Sequence, residues 1–185
     1  MGTGLQRIPR RPSTGTGARL FLAIWPDAEV RGHLAKFRDA WDWPLGARQV
    51  PDMRLHLTLH FIGSFPRAAI DDLAARLATV AERPLMLRAD RAEMWPGGLA
   101  VLRIDPEPAL LDLQRELGSL LSALALPIDT RPYAPHVTLA RKADAARAPD
   151  TRPVLDWKAR GFELVESVGG ANPSYAVLRS FPATG

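Results

Sequence analysis

Two short segments of the sequence carry side chains suited to acid–base chemistry. They read His56-Leu57-Thr58-Leu59, which we call motif 1, and His136-Val137-Thr138-Leu139, which we call motif 2. In a β-strand, residues two apart point to the same face, about 7 Å from each other. Each motif, as a strand, therefore presents one imidazole and one hydroxyl on the same face.

Two such motifs facing one cleft predict hydrolysis of a phosphodiester. The ordinary pKa of histidine, about 6.5, lets one imidazole accept a proton while another donates one near neutral pH. Threonine hydroxyls donate hydrogen bonds to phosphate oxygens, and an imidazolium offsets negative charge in the transition state. These groups would activate a water molecule and protonate the leaving oxygen, so we expect neither a metal ion nor another cofactor. A single His-x-Thr would be explained best by a structural histidine in a sheet. Because the pattern occurs twice, a catalytic role for the two histidines is favoured instead.

Motif 1 lies within a longer alternating stretch at residues 54–60. One predicted face carries three leucines, and the other carries Arg54, His56, Thr58 and His60. Polar side chains are costly to bury without partners, so this face is predicted to line a cleft.

The composition is typical of a globular protein with an excess of basic charge. The 185 residues suit one domain or two small lobes, 46% are hydrophobic, and the formal net charge is +4. Lysine occurs only at positions 36, 142 and 158, so the basic side chains are almost all arginine, which can bind phosphate through two parallel hydrogen bonds. An anionic partner and a general preference for arginine over lysine explain this composition equally well.

Several classes of protein are excluded by what the sequence lacks. It contains no cysteine, which excludes disulfides, thiolate catalysis and cysteine-ligated metal sites, and suits a reducing cytosol. No apolar run is long enough for a membrane span, and the first residues lack the apolar core of a secretory signal. We therefore expect a cytoplasmic protein, monomeric and without a membrane partner.

The elements that must position the motifs follow the order β α β α β β α β and then a β-hairpin. Apolar periodicity predicts helices at about 27–42, 67–82 and 106–125, and strands at 19–25, 54–60, 85–94, 99–104, 136–141, 160–168 and 174–181. Residues 1–17 are rich in Gly, Pro, Ser, Thr and Arg and are predicted to be a disordered or non-native arm, with a basic arm that contacts nucleic acid as the alternative. Residues 18–185 form one predicted catalytic domain, in which each motif strand follows a helix and a loop.

At these two motifs the chain resembles a known family. His56-Leu57-Thr58-Leu59-His60-Phe61-Ile62-Gly63 and Pro135-His136-Val137-Thr138-Leu139-Ala140-Arg141 resemble the signature motifs of the 2H phosphoesterase superfamily. Its bacterial and archaeal RNA 2′,3′-cyclic phosphodiesterases, once called 2′-5′ RNA ligases, are the branch most similar to this chain. The strand at 19–24 and the C-terminal segment around Ser174 and Tyr175 are also similar to that branch.

The resemblance implies an α+β fold with two lobes, in which two mainly antiparallel sheets flank a central groove and the helices lie outside. It implies hydrolysis of RNA or nucleotide 2′,3′-cyclic phosphates to 2′-phosphomonoesters, with a weak reverse joining reaction. By analogy His56 would be the proton donor and His136 the proton acceptor, while Thr58 and Thr138 hold the phosphate.

Other residues near the motifs are weaker candidates. Arg141 matches the family motif, but strict alternation places it opposite His136, so it reaches the groove only if the strand ends or twists. Arg131 and Tyr133 are candidates for clamping and stacking a nucleotide, with plain packing the alternative for Tyr133. His60 and Arg54 are supporting candidates beside His56. We expect Phe61 to pack in the core, with a place under a base as the alternative, and assign none of the five tryptophans to the site.

Two further functions remain open from sequence. One is a 2′-5′ oligonucleotide or other small phosphodiester substrate for the same site, which a panel of substrates would separate. The other is a non-catalytic RNA-binding module, which predicts salt-sensitive binding without hydrolysis.

Overall fold

The computed structural model describes residues 17–80, 84–151, 153–169 and 174–183. Nine strands run through these residues: β1 (Gly17–Ile24), β2 (Arg48–Gln49), β3 (Leu57–Pro66), β4 (Leu85–Trp95), β5 (Leu99–Ile104), β6 (His136–Arg141), β7 (Asp156–Ala159), β8 (Gly161–Val168) and β9 (Ser174–Pro182). Three α-helices are α1 (Ala28–Asp39), α2 (Ile70–Leu77) and α3 (Pro108–Ala123), and single 3₁₀ turns cover Asp52–Arg54 and Arg67–Ala69. The predicted arm at 1–17 lies outside the described residues except for Gly17, which begins β1.

All the strand pairs are antiparallel and belong to one sheet. Its order is β7-β4-β5-β6-β3-β1-β8-β9, with β2 paired to β6 beyond the end of β3. The sheet has two halves, because β3 and β6 share a single registered pair, Leu57 with Val137. The prediction of an antiparallel α+β fold is confirmed, and the two predicted sheets are continuous through this seam.

The three helices pack on one side of the sheet, where the main core lies. Alternate residues of β1 point into this core, including Leu20, Leu22 and Ile24, and α3 adds the leucine face predicted from its spacing. Asp27 caps α1, since its Oδ1 accepts a hydrogen bond from the Val30 backbone N–H at 2.9 Å. The helices therefore close one face of the sheet and leave the other face free for the motifs.

Several predicted boundaries differ from the structure. Arg54 belongs to a 3₁₀ turn, so the first motif strand begins at Leu57 rather than at residue 54. The second predicted helix ends at Leu77, and α1 ends at Asp39. Strand β7 was not predicted, although buried Trp157 and Ala159 alternate with exposed Asp156 and Lys158. Within the described residues, no helix is long and apolar enough to cross a membrane.

Candidate active site

The two motifs meet at the seam of the sheet. Leu57 of β3 lies directly opposite Val137 of β6 in an antiparallel pair. Continuing that register by one residue on each side places His56 opposite Thr138 and His136 opposite Thr58. The half-buried imidazoles and hydroxyls therefore form a compact group related by an approximate two-fold axis through the Leu57–Val137 pair.

Both histidines are oriented in the same way. Nδ1 of His56 lies 2.7 Å from the Arg54 carbonyl oxygen, and Nδ1 of His136 lies 2.8 Å from the Ala134 carbonyl oxygen. A carbonyl oxygen only accepts hydrogen bonds, so Nδ1 carries the proton in both rings. Nε2 of each neutral ring therefore has its lone pair available to accept a proton.

A β-bulge at the last residue of each motif changes which side chains reach the groove. Leu22 pairs with His60 and Ala23 with Thr58, so Leu59 is an extra residue in β3. Leu139 is an extra residue in β6 in the same way, between the pairs Ala100–Ala140 and Val101–Thr138. An extra residue reverses the alternation of the strand.

The bulges bring Phe61 and Arg141 to the face that carries the histidines. Phe61 is 66% exposed and lies 6.1 Å from the Phe21 ring, so the expectation that it packs in the core is wrong. Arg141 is exposed, and its charge acts on both His56 and His136. Strict alternation predicted the opposite face for Arg141, and the bulge at Leu139 explains the difference.

The same bulge turns His60 away from His56, contrary to the alternating pattern. His60 is 5% exposed, and its Nε2 donates to the Gln114 carbonyl oxygen of α3 at 2.7 Å. A Cβ placed on Gly118 of α3 would lie 3.2 Å from this Nε2. His60 thus connects the bulge to α3 on the helix side of the sheet.

Arg131 and Tyr133 also lie on the helix side. They line a cavity of about 490 Å³ together with His60 and residues of α3. The Tyr133 hydroxyl donates to the Thr58 carbonyl oxygen at 2.9 Å, which ties the segment before motif 2 to motif 1. Exposed Arg131 forms a salt bridge with Asp129. These contacts agree with the packing alternative for Tyr133 and do not bring either side chain to His56 or His136.

An aromatic group surrounds His56. Trp25 stacks on the His56 ring with centroids 4.7 Å apart and an interplanar angle of 11°, Tyr175 meets it edge-on at 5.4 Å, and Phe21 lies at 5.3 Å. The Arg54 guanidinium lies over the Tyr175 ring at 5.1 Å, so Arg54 stays beside the site although it is outside the strand.

Burial beneath these rings lowers the pKa of His56 from its ordinary value to about 4. The hydrogen bond to the Arg54 carbonyl opposes this shift, while the charges of His136, Arg54 and Arg141 add to it. His56 is therefore neutral at pH 7 in the unliganded protein.

His136 has a different, more polar setting. Trp95 lies 4.4 Å from its ring, and Arg103 of β5 is its direct cross-strand partner. Glu93 Oε2 accepts from Trp95 Nε1 at 2.7 Å and from Arg103 Nη1 at 3.2 Å, which fixes both side chains. Burial lowers the pKa of His136, and the charges of Arg103 and Arg141 lower it further. The hydrogen bond to the Ala134 carbonyl oxygen has the opposite effect.

Five further residues on this face were not predicted as site residues: Phe21, Trp25, Trp95, Arg103 and Tyr175. Tyr175 belonged to the segment that resembled the family, but nothing in the sequence placed it against His56. The alternation of β1 did place Phe21 and Trp25 on the face opposite Leu22 and Ile24. The positions of Trp95 and Arg103 depend on the register of β4, β5 and β6, which the sequence does not reveal.

No group of three or more His, Cys, Asp or Glu side chains that could hold a metal ion forms within the described part of the chain. His56 and His60, which have the His-x-x-x-His spacing of some metal sites, point to opposite faces of the sheet.

Comparison with known proteins gives consistent matches. Residues 26–170 match a family model described as the 2′-5′ RNA ligase superfamily. A Thermus thermophilus protein named RNA 2′,3′-cyclic phosphodiesterase is 33% identical over 184 residues, covering 90% of this chain and 91% of that protein.

Solved structures match in three dimensions as well. A crystal structure described as a phosphoesterase superposes with a TM-score of 0.83 at 26% identity, covering 91% of this chain and 99% of that one. Escherichia coli LigT complexed with 3′-AMP superposes with a TM-score of 0.82, at the same identity and coverage.

Proposed function

We propose that this chain, which belongs to the 2′-5′ RNA ligase superfamily, is an RNA 2′,3′-cyclic phosphodiesterase that uses His56 and His136 as its acid and base. The family match confirms the resemblance inferred from the motifs, and the relative of 33% identity carries the name of this activity. The observation that carries the proposal is the matched pair of imidazoles. In each ring, Nδ1 is hydrogen-bonded to a backbone carbonyl oxygen, and Nε2 takes no part in that bond.

In the proposed reaction, Nε2 of His136 takes a proton from water as the water attacks the cyclic phosphate. His56 gives a proton to the departing 3′ oxygen, so the ring opens to a 2′-phosphomonoester. This division of roles follows the family resemblance. The lowered pKa of His136 suits a base, because it keeps the imidazole neutral at pH 7.

The lowered pKa of His56 requires the substrate's help. A group with a pKa of about 4 is unprotonated at neutral pH, whereas a proton donor must carry its proton. A phosphate anion near Nε2 favours the imidazolium and raises the pKa, since an opposite charge within about 4–6 Å stabilises the charged form. We therefore propose that His56 becomes protonated only when the anionic substrate is bound.

The remaining groups on this face bind the phosphate and the base. Thr58 and Thr138 donate hydrogen bonds to the phosphate oxygens, and Arg141 offsets their charge. The exposed ring of Phe61 stacks on the base of the bound nucleotide, which adds affinity with little sequence preference. Arg131 and Tyr133 have no part in this proposal, because they lie beside α3. His60 contributes only by anchoring the bulge that presents Phe61.

We further propose that residues 18–185 act as one cytoplasmic, monomeric catalytic domain whose reaction uses no metal ion. The absence of cysteine supports the cytoplasmic location, and the two-histidine chemistry supports a reaction without a metal ion.

The test compares His56→Ala, His136→Ala and the control His33→Ala, which changes an exposed histidine on α1. The substrates are a short RNA ending in a 2′,3′-cyclic phosphate and matched 2′-5′ and 3′-5′ oligonucleotides, each assayed with EDTA. We expect a 2′-phosphate product from the cyclic end, a loss of at least about 100-fold in kcat for the two site variants, and normal activity for His33→Ala. Full activity of either folded site variant would contradict the two-histidine mechanism. Hydrolysis of the 2′-5′ substrate alone would change the substrate class.

A further inference from the structure

Two arginines face each other at the end of β6. Arg48 of β2 is the direct antiparallel partner of Arg141, and both side chains are exposed. Directly opposed residues in an antiparallel pair place their side chains on the same face. Because the bulge at Leu139 turns Arg141 to the groove face, Arg48 lies on that face as well.

Neither arginine of this pair has an acidic partner within the described part of the chain. The salt bridges there join other cations to other carboxylates. Like charges directly opposite each other destabilise a strand pair. Two unneutralised guanidinium groups side by side suit an anion bound between them, since each can donate two parallel hydrogen bonds to a phosphate.

The position of the pair relative to the histidines indicates which phosphate it would bind. Arg141 is close enough for its charge to act on His56 and His136, so it borders the place of the reacting phosphate. Arg48 is one strand further out, roughly 5 Å from Arg141 at the backbone. A second phosphate next to the reacting one would therefore lie within reach of Arg48.

We propose that Arg48, together with Arg141, forms a second phosphate subsite that binds the phosphodiester joining the terminal nucleotide to the rest of an RNA chain. This inference rests on the proposed function and names its preferred substrate as the end of a chain rather than a free cyclic nucleotide. A nucleoside 2′,3′-cyclic phosphate has no such phosphodiester and leaves the subsite empty.

The experiment measures kcat and KM of Arg48→Gln on three substrates: a nucleoside 2′,3′-cyclic phosphate, a dinucleotide and a pentanucleotide with the same cyclic end. We expect KM to rise about tenfold for the dinucleotide and pentanucleotide, since a charge-assisted hydrogen bond is lost. The change for the mononucleotide should stay within about twofold. The slope of log KM against log salt for the pentanucleotide should fall by about one.

Arg76→Gln is the matched control, because Arg76 is an exposed arginine on α2, in the helix layer on the other side of the sheet. Arg48→Lys retains the charge without the two parallel donors and should restore only part of the affinity. Equal changes on the mononucleotide and the dinucleotide, or the same change in Arg76→Gln, would show a general charge effect and overturn the subsite. An unchanged KM in Arg48→Gln would also overturn it.

A binding measurement separates this inference from the proposed function. Titration calorimetry compares a pentanucleotide ending in a 2′-phosphate with a nucleoside 2′-phosphate, and it needs no turnover. If the wild-type protein does not open cyclic ends but Arg48→Gln still weakens binding of the pentanucleotide selectively, the proposed function fails and the subsite stands. If the wild-type protein is active but the wild type and Arg48→Gln bind the pentanucleotide equally well, the proposed function stands and the subsite fails.

Discussion

Trp25 and Arg103 occupy equivalent positions beside the two histidines, and their chemistry is opposite. Arg103 is the cross-strand partner of His136, and extending the register of β1 with β3 by one residue beyond Ile24 and Leu57 places Trp25 opposite His56, on whose ring it stacks. Trp25 stacks on its histidine, whereas Arg103 brings a positive charge to the other. The two halves thus share a backbone plan but give their histidines unequal environments, as a division into acid and base requires.

The environment of His136 leads to a prediction about pH. His136 is faced by Arg103 from β5, by Arg141 from its own strand and by His56, which directly precedes β3, and the two arginines lower its pKa. Replacing Arg103 with glutamine removes one positive charge and should raise the pKa of His136. The acidic limb of kcat/KM should then move to higher pH, because the base must be unprotonated. The measurements are kcat/KM against pH and NMR titration of the His136 ring.

Arg103→Lys is the control for this prediction, since it keeps the charge and should keep the limb near its wild-type position. A limb that moves equally in both variants would mean that Arg103 acts by packing on Trp95 rather than by charge. The NMR titration remains informative even where activity is low.

The pairing of His56 with Thr138 and of His136 with Thr58 predicts similar roles for the two hydroxyls. Thr58→Val and Thr138→Val keep the side-chain shape and remove one donor each. Each should lower kcat by about 10- to 100-fold, as expected when a hydrogen bond to developing negative charge is lost. Thr58→Ser and Thr138→Ser retain the hydroxyl and should recover most of the rate. A large loss in only one valine variant would show that one threonine alone contacts the phosphate.

Protonation of the half-buried His56 should also weaken the fold. Its pKa in the folded protein is about 4, below the ordinary 6.5, so the unfolded chain binds the proton more readily. The stability associated with this group is complete above about pH 6.5 and falls as the pH drops toward 4. Urea unfolding between pH 4 and 7 should show a weaker pH dependence in His56→Gln than in wild type. Parallel curves would mean that His56 keeps its ordinary pKa.

Much of the site was predictable because local rules fix it. Leu57, Val137 and Leu139 point into the core, so their polar neighbours must point away from it, and two copies of one pattern predicted the pair of histidines proposed as acid and base. The bulges were harder to predict, since residues 54–60 alternate without a break and His60 fits the polar series. Motif 2 carried a signal, because Ala140 is apolar where alternation calls for a polar residue.

The side of the sheet that His60 occupies is decided by a distant partner. Its ring bonds to the Gln114 carbonyl of α3, a contact between residues far apart in the chain. The same holds for Trp95 and Arg103, whose places beside His136 depend on strand register. Tertiary contacts of this kind leave no periodic trace in the sequence.

Exposed Phe61 yields a prediction that separates binding from stability. Its ring is 66% exposed on the groove face, so Phe61→Ala should change the free energy of unfolding little. Stacking on a base contributes about 1–3 kcal/mol, so KM for a cyclic-ended RNA should rise about tenfold. Leu45→Ala is the control, because Leu45 is fully exposed outside the groove strands and should alter neither quantity. An unchanged KM would exclude Phe61 from the binding site.

The contact between Gly118 and His60 gives a prediction that reverses a general rule. Glycine to alanine in the middle of a helix usually stabilises a protein by about 0.5–1 kcal/mol. Gly32→Ala in α1 should show this gain, since nothing lies within 4 Å of the added Cβ. In Gly118→Ala the Cβ would lie 3.1 Å from His60 Cε1, so we expect no gain or a net loss in urea unfolding. Displacement of His60 would also disturb the bulge that presents Phe61, so KM for RNA should rise in Gly118→Ala and not in Gly32→Ala. Equal stabilisation in both variants would show that His60 does not hold the bulge against α3.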